Sequence, residues 1–106
     1  MADHLAVLTT TGTQEKARRL ATSAVEARLA ACAQIDGPVT SVYRWEDRVE
    51  TDTEWRVLYK TTAAAFDALS AHITAEHDYD VPEIIATPIT AGGDAYLAWV
   101  GREVRG

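Results

Sequence analysis

The run from Leu5 to Thr10 is short, apolar-rich and β-prone, and predicts a buried first strand. Thr11, Gly12 and Thr13 break it and supply an N-cap at Thr11 or Thr13. From Gln14 to about Ala30 the period changes: Ala17, Leu20, Ala21, Ala24 and Ala27 recur three and four residues apart, with most charges elsewhere. That spacing predicts an amphipathic helix lying on a sheet, its alanine stripe permitting a close approach. A second strand is expected from about Cys32, interrupted at Gly37 and Pro38 and resuming from Val39 to Trp45. A third follows from about Val49 to Thr61, with Glu46, Asp47 and Arg48 as the turn of a long antiparallel hairpin. Val39, Ser41, Tyr43 and Trp45 share one face of it, as do Thr53, Trp55, Val57 and Tyr59. Thr62 is the expected cap of a second helix, whose Phe66, Leu69 and Ile73 face inward and which ends near His77. Pro82 forces an extended approach to a fourth strand, Glu83 to Thr87, stopped by Pro88. Gly92, Gly93 and Asp94 open a short terminal helix carrying Tyr96, Leu97, Trp99 and Val100.

The order is β-α-β-β-α-β plus a terminal helix. Right-handed crossovers turn that order into a ferredoxin-like α+β fold: a four-stranded antiparallel sheet with two helices on one face. At 106 residues the chain suits a single domain spanning 1–106. Two helices leave the other sheet face and the hairpin tip uncovered. Four of the eight aromatic residues, Tyr43, Trp45, Trp55 and Tyr59, lie on that hairpin. Such residues are enriched in interface cores, so self-association is expected, with Tyr43, Trp45 and Trp55 as interface candidates. Trp55 and Tyr59 also suit the domain's own core.

Charge and composition then narrow the chemistry. Sixteen acidic side chains against ten basic ones give a net charge of −6, which argues against a nucleic-acid footprint. An RNA-reading sheet of this topology would also need a basic, aromatic face that is missing here. No apolar run approaches a bilayer span, and the first residues lack a signal-peptide pattern, so a cytoplasmic protein is expected. Cys32 is the only cysteine; with no local means of lowering its pKa, a packing role is favoured over a nucleophile or ligand. Glu76, His77, Asp78, Asp80 and Glu83 gather carboxylates around an imidazole, oxygen and nitrogen donors that suit a divalent cation; no motif fixes a coordination sphere, so on the residues alone a solvated acidic loop is favoured over a cation site. Lys60 stands where the third strand meets the second helix, as an anion-binding group or a strand-end lysine. No phosphate loop or nucleophile elbow is present, so no catalytic residue is assigned and no organic cofactor is expected. The one enzymatic alternative is a small isomerase using His77 with Asp80 or Glu83 as an acid–base pair.

Several segments, in order, resemble the CutA divalent-cation-tolerance family: Leu29–Cys32, Ser41–Asp47, Glu54 with Tyr59–Thr61, His77–Ile85 and Gly92–Val100. The resemblance runs from about Leu5 to Val100. It implies a PII-like, ferredoxin-like fold, a homotrimer with hairpins pairing between subunits, and an association with copper or other divalent cations without an agreed enzymatic activity. Carried over residue by residue, Cys32, His77, Tyr79, Pro82, Glu83, Trp45, Glu54 and Lys60 match family positions; the metal donors are then expected among His77, Glu76, Glu83 and Cys32, with Lys60, Tyr79 and Glu54 lining a cleft. Three features depart from the family pattern. Asp78 replaces the proline after the histidine, and Asp47 replaces the turn glycine. Thr9 and Thr10 stand where copper-linked members carry a cysteine, which shifts the expected coordination from thiolate toward nitrogen and oxygen.

Overall fold

A computed structural model describes residues 3–105; Met1, Ala2 and Gly106 of the expected domain lie outside the described residues. The elements are β1 (His4–Thr11), α1 (Gln14–Glu26), β2 (Cys32–Trp45), β3 (Arg48–Thr62), α2 (Phe66–Glu76), β4 (Ile85–Pro88) and α3 (Asp94–Glu103). The strands form one antiparallel sheet in the order β2-β3-β1-β4, the ferredoxin-like α+β arrangement.

Both helix faces follow the apolar spacing. Ala17, Leu20, Ala21 and Ala24 of α1 and Leu69 and Ile73 of α2 are buried. Ala17, Ala21, Ala24, Leu69 and Ile73 pack with Val7, Val57 and Tyr59 of the sheet, and Trp55 lies half-buried against this core. Alanines bring α1 close to the strands, so Tyr59 fills the space beneath with no exposed surface. A smaller cluster of Ala31, Ala65, Val100 and Val104 docks α3. The hydroxyls of Thr9, Thr11 and Tyr59 are buried without a hydrogen-bond partner among the described residues.

Element ends differ from expectation for identifiable reasons. Thr13, not Thr11, caps α1, its hydroxyl accepting from the Lys16 N–H at 3.1 Å. The helix stops at Glu26 rather than Ala30 because Arg28 takes a left-handed conformation, with φ 62°. Leu29 N–H then donates to Ala24 O at 2.9 Å and Arg28 N–H to Val25 O at 3.0 Å, a Schellman ending without the usual glycine. The Arg28 guanidinium offsets that strain by donating to the carbonyls of Glu103 at 3.1 Å and Arg102 at 3.2 Å, capping the end of α3. Thr62 does not cap α2; it closes the preceding turn, and Ala65 occupies the N-cap. The hairpin turn has two residues, Glu46 and Asp47, both at positive φ, and Arg48 already belongs to β3. Asp47 adopts 64° there without a glycine. The fourth strand begins at Ile85 and includes Pro88, which an edge position tolerates.

The interruption expected at Gly37 and Pro38 is a bulge inside a continuous β2. Register runs from Cys32 against Lys60 to Asp36 against Arg56, then resumes one residue out of step with Val39 against Glu54. Gly37 has φ 150°, and a Cβ there would meet the Trp55 ring at 3.0 Å, so the bulge requires glycine. The shift sends Val39, Ser41, Tyr43 and Trp45 to the face of Glu54, opposite the helices. Beyond Trp55, β3 pairs only with β2 among the described residues, so the hairpin projects as a two-stranded ribbon, and the molecule including it measures 44 × 25 × 22 Å.

Arg28→Ala keeps the left-handed strain and loses the clamp, and is expected to cost about 1 kcal/mol in denaturant unfolding. Arg28→Gly relieves the strain and is expected to be more stable than the alanine variant by about 1 kcal/mol. Thr9→Val removes a buried unpaired hydroxyl at constant shape, and is expected to be neutral or stabilising by up to about 1 kcal/mol in the same assay.

Candidate functional site

The chain after α2 straddles the end of β1. His77 ends the helix, and its side chain is fully buried. Its Nε2–H donates to the Thr10 carbonyl at 2.7 Å, and its Nδ1 accepts from the Tyr79 N–H at 3.0 Å. The two bonds fix the tautomer and occupy both ring nitrogens. They also pin the segment, so that Tyr79, its ring tilted 49° to the imidazole with centroids 4.5 Å apart, crosses to the open face of the sheet. There its hydroxyl donates to Glu54 Oε2 at 2.8 Å.

Two depressions result, one on each side of this staple. On the helix side, Thr11, Lys16, Arg19, Leu20, Glu76, His77 and Asp78 line a pocket of about 240 Å3. Lys16 closes it with an ion pair to Asp78 at 2.5 Å, and the hydrogen bond from Lys16 holds the Asp78 carboxyl below the usual carboxylate range. On the open side, a groove of about 610 Å3 runs between the hairpin and the segment 79–83. Thr10, Ser41, Tyr43, Trp45 and Glu54 form its floor and hairpin wall, and Tyr79, Asp80 and Glu83 the other wall.

The candidate metal donors are therefore divided. Glu76 and His77 line the helix-side pocket, Glu83 lines the open groove, and Cys32 stands apart with its Sγ 3.5 Å from the Tyr96 hydroxyl. Cys32 is half-buried at the start of β2 on the open face, rather than a core residue. Among the described residues no three His, Cys, Asp or Glu side chains gather to hold a metal ion. Of the cleft candidates, Glu54 and Tyr79 meet directly, whereas Lys60 binds Gln34 Oε1 at 2.7 Å, roughly 20 Å farther along β3. Tyr43 and Trp45 are exposed on the open face; Trp55 packs toward the core on the helix face. The acid–base alternative finds both His77 nitrogens already hydrogen-bonded to the backbone. Ser41 joins the groove without having been singled out, though its alternation with Tyr43 and Trp45 was the available signal.

A family model for the CutA1 divalent ion tolerance protein matches residues 5–103, nearly the whole chain. The chain belongs to the CutA1 family. The divalent-cation tolerance protein CutA of Thermus thermophilus is 47% identical over 94 residues, covering 89% of this chain and 91% of that protein. The chloroplastic CutA protein of Arabidopsis thaliana is 42% identical over 101 residues; these cover 95% of this chain and 56% of that protein, so the chain spans just over half the plant relative's length. The crystal structure of CutA1 from Oryza sativa superposes with a TM-score of 0.95 at 41% identity, covering 98% of this chain and 95% of that one. CutA relatives are thus named for cation tolerance rather than for a catalysed reaction. Among the described residues of this CutA1 chain, no helix is long and apolar enough to cross a membrane.

All four tyrosines are held protonated beyond the ordinary value of 10. The hydrogen bond to Asp52 pushes Tyr43 up to about 12. Burial raises Tyr59, burial followed by the bond to Glu54 raises Tyr79, and the contact with Cys32 raises Tyr96. A phenol with a raised folded-state pKa contributes stability below its unfolded value, and that contribution is lost as pH rises through the folded value. Alkaline titration of phenolate absorbance is therefore expected to show no step near pH 10, with ionisation beginning toward pH 12 or with unfolding. A full-amplitude step at pH 10 in the folded protein would contradict these environments.

Proposed function

We propose that the protein is a cytoplasmic homotrimer that binds copper or another divalent cation at sites between subunits, and works there as a PII-like sensing module. The observation that carries this reading is the uncovered apolar surface of the hairpin and open face. Val42 is 66% exposed, Val49 63% and Trp45 47%, on both sides of the ribbon, and Ile85 of β4 is 53% exposed; among the described residues no layer covers the ribbon. Apolar residues on both sides of an isolated ribbon are best explained by burial against further copies of the same chain. The cation part rests on the tolerance names of the relatives and on the donors available. Glu76, Asp78 and Glu83 supply hard oxygens, and Thr9 and Thr10 offer no thiolate, which favours nitrogen and oxygen coordination over Cu(I). Since one chain's donors are divided between two depressions, a coordination sphere needs donors from a second chain. His77 would join it only by giving up Thr10 or Tyr79.

Sedimentation equilibrium is expected to return three times the 11.5 kDa chain mass. Calorimetric titration with Cu2+ and Zn2+ is expected to give saturable binding for the wild type and none for a Val42→Asp, Val49→Asp double variant that no longer assembles. A single-chain mass at all concentrations sinks the assembly. Indistinguishable millimolar isotherms for the two proteins sink the cation reading.

A further inference from the structure

The helix-side pocket carries its charges on opposite walls. Lys16 and Arg19, three residues apart on one face of α1, stand on one wall beside Leu20. Glu76 and Asp78, from the end of α2 and the segment after it, stand on the other. Lys16 and Asp78 neutralise each other, whereas Arg19 reaches only Glu15, at 3.6 Å, in a water-exposed pair that holds it weakly. Among the described residues, Glu76 has no ion pair. Thr11, at the end of β1, completes the lining. Strand alternation puts its side chain on the helix face with Val7 and Thr9; the residue is 1% exposed, and its hydroxyl has no partner among the described residues. An unpaired buried hydroxyl beside a pocket points to a polar group that enters it.

The charge pattern selects the class of that group. An anion alone would face the carboxylates of Glu76 and Asp78, and a cation alone would face Lys16 and Arg19. A small molecule carrying both charges meets an opposite charge on each wall. The volume, about 240 Å3, lies below the range that holds drug-sized ligands and suits one of few heavy atoms. We propose that this pocket binds a free amino acid, its carboxylate accepting from the Arg19 guanidinium and the Thr11 hydroxyl, and its ammonium donating to Glu76. The planar fork of a guanidinium matches a carboxylate with two parallel bonds, stronger than those between neutral groups. The Lys16–Asp78 pair stays in place and adds no net charge.

The pocket lies on the face opposite the surface assigned to assembly, and the inference goes beyond the cation reading without resting on it. Its test is calorimetric titration in EDTA with L-alanine, whose charges are adjacent, and with 4-aminobutanoate, whose charges are separated. Butanoate and butylamine, each with one of the two charges, are the controls. The proteins are wild type, Arg19→Gln, Glu76→Gln and the isosteric Thr11→Val, each with its mass and folding checked. Saturable binding of at least one amino acid is expected, tighter than either control by about tenfold or more. Weakening by about tenfold or more is expected in each variant at unchanged mass. Arg19 and Glu76 are exposed, so their variants keep the test sound where Thr11→Val perturbs folding. Absence of saturable binding of both amino acids to the folded wild type overturns the inference. So does a control that binds as tightly, or wild-type affinity in Arg19→Gln or Glu76→Gln. A trimer that binds no amino acid refutes this inference alone, and a monomer that binds one refutes only the assembly reading.

Discussion

Gly37 and Pro38 together stand opposite Trp55, and this one-residue excess in β2 determines which side chains meet on the far half of the sheet. Before it, Ala33 and Ile35 pair with Tyr59 and Val57 beneath the helices. Without it, strict alternation would carry Val39, Ser41, Tyr43 and Trp45 along that same face. With it, those residues turn to the open face beside Glu54, where Tyr79 arrives from the other side. The groove, the exposed aromatic surface and the half-burial of Trp55 all depend on that shift. Glycine is required at its apex because the Trp55 ring leaves no room for a side chain.

The staple at His77 is the second condition. A fully buried imidazole with both nitrogens bound to backbone fixes the path of residues 77–83 around the end of β1. Buried polar groups satisfied in this way hold one conformation, because releasing either bond strands a donor or an acceptor. The same satisfaction makes His77 a poor candidate for a freely available ligand or base. Histidine next to carboxylates in sequence suggested chemistry, and folding has turned it into architecture that positions Tyr79.

Periodicity made the fold legible: the alanine stripe of α1, the alternation in the hairpin and the proline boundaries of β4 each correspond to an observed element. What one-dimensional reading missed depended on contacts distant in sequence. Arg28 ends α1 early because its guanidinium finds the carbonyls of Arg102 and Glu103, which no local pattern signals. The site was legible in part. The pairing of Tyr79 with Glu54 was anticipated only as two members of one cleft. The division of Glu76 and His77 from Glu83 was hidden, because a short sequence interval crosses from one face of the sheet to the other. Cys32, expected inside, lies half-buried at the sheet's far end, its Sγ against the Tyr96 hydroxyl of α3, a contact distant in sequence.

The central claim is that the ribbon beyond Trp55 is completed by other copies of the chain, since two strands alone are marginal in water. Residue-resolved hydrogen exchange of the backbone amides in 39–54 tests this most directly. The account predicts protection in this segment comparable to that of β1 at the centre of the sheet. Exchange at the rate of an open hairpin, while β1 stays protected, would contradict it.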